Sequence, residues 1–134
     1  MGACYSVSVK MAFREKNSKQ KAVLALQRMM ERTSGGVHYS LDKFAAEGIG
    51  TDTFEDLLKI FLGGWKFWNP EIKKGKKWLK YYCDFDASYS WESIMMEMFE
   101  EISPFLIDKS EMFIYPDSDY DHLVVKNGKC VQVH

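Results

Sequence analysis

Cysteine, histidine and aspartate, the side chains that ligate metals, crowd the C-terminal stretch as Asp117, Asp119, Asp121, His122, Cys130 and His134. Asn127-Gly128, between two β-rich runs, signals a two-residue hairpin turn. Counting outward from it pairs Lys126 with Lys129, His122 with Val133 and Asp121 with His134. Cys130 and His134 then share a face but stand ~13 Å apart along the strand, with His122 on the other face. Zinc bonds of ~2.0–2.3 Å do not span that separation. Asp117, Asp119 and Asp121 alternate like the acids of a calcium loop, but the turn glycine and the bidentate glutamate such a loop needs are missing. Neither a metal nor another cofactor is expected.

Covalent chemistry has weaker support. The chain contains no G-x-S-x-G, no phosphate-binding glycine loop and no H-E-x-x-H. Cys83 alternates with Leu79 and Tyr81 on an inward strand face, the setting of a small core hydrophobe rather than a nucleophile. No catalytic residue is assigned, and the balance leans away from an enzyme.

Two segments carry binding chemistry instead. Residues 65–83 hold six lysines against Glu71 alone, and Trp65, Lys66, Trp68, Lys73, Lys74, Lys76, Lys77 and Trp78 interleave cations with aromatic faces. Lysines neutralise phosphates and indoles stack on unpaired bases, so this segment is a candidate nucleic-acid surface. The absence of arginine there and the net charge of −1 favour a solvated loop. Residues 84–121 reverse the sign, with eleven Asp/Glu against Lys109 for a balance of −10. Glu92, Glu97, Glu100 and Glu101 on a helix, with Asp117, Asp119 and Asp121 on a turn, would concentrate a negative field suited to a basic partner.

The elements that must position these groups follow from periodicity. Tyr5, Val7, Val9, Met11 and Phe13 alternate with polar or small residues, predicting a half-buried strand. Asn17 or Ser18 is expected to cap a helix to about Arg32, and Gly35-Gly36 to end it. A short helix is expected from Ser40 to Ala46. Thr51 or Asp52 should cap another, with Phe54, Leu57, Leu58, Phe61 and Leu62 on its stripe. A lysine-rich loop should run through Gly75, followed by a strand over Lys77–Phe85 and a cap region over Asp86–Ser90. The next helix places Trp91, Ile94, Met95, Met98, Phe99 and Ile102 on one stripe, and Pro104 ends or kinks it. Glu111–Tyr115 reads as a strand before the C-terminal hairpin. The expected fold is a single α+β domain over residues 1–134. Its largely antiparallel sheet has four to six strands, and three or four helices pack mainly on one face.

At 134 residues, 46% apolar and 28% charged, the chain has the composition of a globular domain able to bury a core without metal or disulfides. Three widely spaced cysteines fit a reducing, cytoplasmic setting. No apolar run approaches the ~20 residues of a membrane span, so no membrane partner is expected.

The compact chain, the aromatic run Tyr81-Tyr82-Cys83-Asp84-Phe85-Asp86-Ala87-Ser88-Tyr89-Ser90-Trp91 and the acidic segment after it resemble small inhibitor proteins of phages and mobile elements, of the anti-CRISPR type. The resemblance is one of general character and assigns no residue a role. It implies a stoichiometric inhibitor that occludes a nucleic-acid-binding surface of a host defence nuclease, here through the acidic face. The alternative is a small nucleic-acid-binding protein using residues 65–82.

Overall fold

The computed structural model describes residues 2–31, 33–34, 37–38, 48–64, 69–88, 90–115 and 120–133. Alternation builds the centre first. In β1 (Gly2–Met11) the odd residues Tyr5, Val7, Val9 and Met11 are buried, while the even ones face the other way. β5 (Leu79–Ser88) pairs along the whole of β1, Gly2 opposite Ser88 and Met11 opposite Leu79, so Leu79, Tyr81, Cys83 and Phe85 join the same inner face. β6 (Glu111–Tyr115) pairs with the other side of β1 and adds Met112 and Ile114. With β4 (Glu71–Lys74), β7 (Asp121–Lys126) and β8 (Lys129–Val133), the described sheet is antiparallel throughout, in the order β4-β5-β1-β6-β7-β8. A small separate ribbon pairs β2 (Thr33–Ser34) with β3 (Val37–His38).

Three helices supply the second layer among the described residues. α1 (Ser18–Met30) buries Ala22, Val23, Leu26, Met29 and Met30, and packs on both α2 (Phe54–Phe61) and α3 (Trp91–Ile102). Of the stripe expected for α3, Ile94, Met95, Met98, Phe99 and Ile102 are buried, and Trp91 packs half-buried against the core. Helical stripes and the inner sheet face form one hydrophobic cluster, so the outer sheet face lies opposite the helices.

The end of α2 is fastened to the sheet through three successive carbonyls. Trp91 Nε1 donates to the Phe61 carbonyl (2.8 Å), the Tyr81 hydroxyl to that of Leu62 (2.9 Å) and the Cys83 thiol to that of Gly63 (3.5 Å). Gly63 has φ +87°, and a Cβ there would run into the Phe85 ring. Glycine is therefore required by both backbone and packing.

Several expectations need correction. The cap of α2 is Thr53, whose side chain accepts from the Asp56 amide, rather than Thr51 or Asp52. α1 ends at Met30, with Glu31 as its C-cap. The expected lysine loop is an edge strand, β4, in which Ile72 packs on the core. One inward apolar residue suffices at a sheet edge, and exposed lysines there discourage pairing with another chain. β5 continues through Asp86 to Ser88, because the outward acids keep the period of two and β1 supplies a partner that far. The helix expected at Ser40–Ala46 lies outside the described residues.

Candidate functional site

The C-terminal hairpin has the register expected: Lys126 opposite Lys129 and His122 opposite Val133. Its turn holds Asn127 at φ 52° and Gly128 at φ 74°, the positive pair such a turn requires. Cys130 pairs with Val125 on the inner face. Burial, and then the charge of Glu100, push its thiol up, against a hydrogen bond with Ser103. His122 lies on the outer face, 2.9 Å from Glu111 and stacked on Phe113 with ring centroids 4.0 Å apart. The two candidate ligands are thus on opposite sides of the sheet. His134, Asp117 and Asp119 lie outside the described residues, and Asp121 accepts from Gln132 Nε2 (2.9 Å). Among the described residues no three His, Cys, Asp or Glu side chains converge on a metal position. Burial pushes the Cys83 thiol up to about 11, ahead of the Tyr81 hydrogen bond that lowers it, so the thiol is protonated at neutral pH.

The acidic segment divides. Glu92, Glu97, Glu100 and Glu101 stand on α3, Glu100 exposed and the others half-buried. Glu92 stands in the first turn of α3, whereas Glu97, Glu100 and Glu101 lie toward its C-terminus, where the helix macrodipole is itself negative and the last turn contains no basic residue. Asp121, opposite the buried Ile114, belongs to the helix side. Asp84, Asp86 and Glu111 pair with Ser6, Cys4 and Lys10 and point to the outer side. A strand–helix–strand path has placed one run of charge on two sides of the sheet.

The basic segment divides as well. Trp65, Lys66 and Trp68 lie outside the described residues. Lys74, opposite the buried Leu79, turns inward and ion-pairs with Glu55, which also accepts from Lys19 (3.1 Å). Burial pushes the Glu55 carboxyl up, but the two lysine hydrogen bonds outweigh it and hold the group below its usual range. Lys76 and Lys77 are exposed in the turn before β5, and Lys77 Nζ lies 5.8 Å from the Trp78 ring centroid. Lys73 points outward.

Strand order then assembles a surface that the linear segments conceal. Lys73 is opposite Lys80, Lys80 opposite Lys10 and Lys10 opposite Glu111, making one row across four strands. The adjoining row runs Glu71, Tyr82, Ser8, Phe113, His122. Beyond it Tyr115 stacks near-parallel to Phe113 (5.9 Å, 9°), and Tyr120 lies 5.7 Å from Tyr115. Lys10 Nζ also sits 4.4 Å over the Trp78 ring. A cleft of about 440 Å³ opens between the two rows, lined by residues of both. Sequence reading missed Lys10, Lys80, Tyr82, Phe113 and Tyr115 as a set. Their outward positions followed from alternation, but their adjacency required knowing that β1 lies between β5 and β6.

Among the described residues, no helix is long and apolar enough to cross a membrane. No protein-family model, curated protein or solved structure matches the chain.

Proposed function

We propose that this protein acts by binding another protein, without turnover, and that the carboxylate-rich side of α3 is the docking surface. The observation that carries this reading is the position of Glu97, Glu100 and Glu101 toward the C-terminus of a helix with no basic residue in its last turn, with Glu92 in its first turn. Carboxylates near a helix C-terminus oppose the macrodipole by ~0.3–1 kcal/mol each. The negative field extends beyond the helix, since the charge of Glu100 helps raise the Cys130 thiol. A basic partner is drawn to this concentration of carboxylates, and complementary fields speed the encounter. A protein groove built to hold DNA or RNA is basic in this way. A binder that fills such a groove inhibits the nuclease that owns it, which is the mode implied by the resemblance to anti-CRISPR inhibitors.

The test begins with capture of partners from a bacterial lysate, identified by mass spectrometry and rebound one at a time. Charge reversal at Glu97, Glu100 and Glu101 to lysine should preserve the circular-dichroism spectrum. It should weaken binding at least tenfold at low salt, and by less as salt rises. A triple variant that binds its partner as tightly as the parent refutes the reading. A nucleic-acid ligand is the second reading, favoured by the row of Lys73, Lys80 and Lys10 on the opposite side of the sheet.

A further inference from the structure

We propose that the cleft on the outer sheet face is a nucleotide-binding site, in which the lysine row holds a phosphate and Tyr82 and Phe113 flank the base. This site is separate from the α3 surface and independent of any protein partner there.

Like charges directly opposite each other on neighbouring strands are destabilising, and here three lysines occupy one row on β4, β5 and β1. The row ends at Glu111, which is shared with His122 at 2.9 Å. The Trp78 ring, 4.4 Å from Lys10 Nζ, and the nearby Glu71 and Glu111 offset part of this charge, and an anion seated beside Lys73, Lys80 and Lys10 lowers the remaining repulsion.

In the adjoining row the small Ser8 lies on β1 between Tyr82 on β5 and Phe113 on β6. Two strand spacings set the flanking backbone positions ~9.6 Å apart, and the Tyr82 hydroxyl donates to Asp84 (2.8 Å), which anchors that ring on this face. His122 stacks on Phe113 from the β7 side and holds that ring parallel to its own, at an interplanar angle of 10°. The lysine row is one same-face step away, ~6.8 Å along the strands. That step matches the reach from a nucleotide's phosphate to its base. The cleft volume of about 440 Å³ falls within the range of small-molecule sites.

Glu71 and Glu111 also line the cleft. Carboxylates would repel free phosphate, and the lysines would repel a basic peptide. A nucleotide combines an anion for the lysines, a π-face for the rings and hydroxyl or amino donors for the carboxylates. It can be a free mononucleotide or one unit of a single strand. Tyr115 and Tyr120 extend the ring series beyond Phe113 and offer faces to further bases.

The experiment is titration of the full chain with inorganic phosphate, AMP and a twelve-nucleotide single-stranded RNA, read by calorimetry at several salt concentrations. Binding of AMP or RNA, with phosphate at least tenfold weaker, is the expected result. AMP as tight as RNA identifies a mononucleotide site. RNA tighter, with log K falling against log salt at a slope of about −2 for three lysines, identifies a strand-binding site. Phe113→Ala and Tyr82→Ala should each weaken binding about tenfold, with the fold checked by circular dichroism. K10E/K80E should abolish it. The Glu97, Glu100 and Glu101 reversal should leave it intact, which separates this site from the α3 surface. Phosphate binding equal to AMP overturns the site, as does an absence of nucleotide binding at millimolar concentration. Loss of a protein partner on Phe113→Ala, without nucleotide binding by the parent, overturns it in favour of protein docking.

Discussion

The two sides of the central strand are composed for different tasks. One side of β1 presents Tyr5, Val7, Val9 and Met11, all buried against helices. The other presents Ser6, Ser8 and Lys10 to a surface of lysines, carboxylates and stacked rings. Inward residues are constrained by volume, since a filled core tolerates neither cavities nor charge. Outward residues are free of that constraint, so a costly arrangement there, such as three lysines in a row, points to a ligand. Substitutions on the inner side should therefore be read in stability, and those on the outer side in binding.

The largest expected effect tests the inner side at its densest point. Met98 is fully buried on the α3 stripe. Met98→Asp places an unpaired carboxylate among apolar neighbours, a cost on the order of 4 kcal/mol and a large fraction of a small domain's stability. Thermal unfolding followed by circular dichroism should show a lost or strongly lowered transition. An unchanged melting temperature would remove α3 from the core.

The next effect concerns the joint between helix layer and sheet. Gly63→Ala must hold alanine at φ +87° and displace the Phe85 ring. About 3 kcal/mol of destabilisation is expected from strain and overpacking together. Urea denaturation should show a lower midpoint with an unchanged slope. A variant as stable as the parent would mean that the end of α2 is not fixed to β5.

The inner side was legible in the sequence because period two and period 3.6 are imposed by burial. The β1 alternation, the α3 stripe and the hairpin register around Asn127-Gly128 all follow from spacing alone. β4 was not legible, because an edge strand with one inward residue has almost no hydrophobic period. The outer surface was illegible for another reason. Phe113 and Tyr82 lie far apart in the chain and become neighbours across Ser8 only through the order β5-β1-β6. Charge counts over linear segments misled for the same reason, since consecutive strand residues point to opposite sides.

Lys73 and Lys74 reduce the comparison to two adjacent residues, and the smallest expected effect is the one that separates them. Lys74 turns inward to Glu55, joined there by Lys19, and Lys73 turns outward to Lys80. Burial alone would raise the Glu55 carboxyl, but the lysine hydrogen bonds hold it below its ordinary value. A carboxyl lower in the folded than in the unfolded chain adds stability above the unfolded value, near pH 4.3. That contribution fades as pH falls through the folded value, where both states are protonated. Both lysines are substantially exposed, so solvent screening keeps the effect small. Glu55→Gln should lower the melting temperature by a few degrees at pH 7. The gap from the parent should close as the pH drops below about 4. Lys74→Ala should narrow that pH-dependent gap, whereas Lys73→Ala relieves its repulsion with Lys80 and should raise melting slightly while weakening nucleotide binding. Equal thermal effects of the two lysine variants would show that alternation along β4 does not sort its lysines between structure and surface.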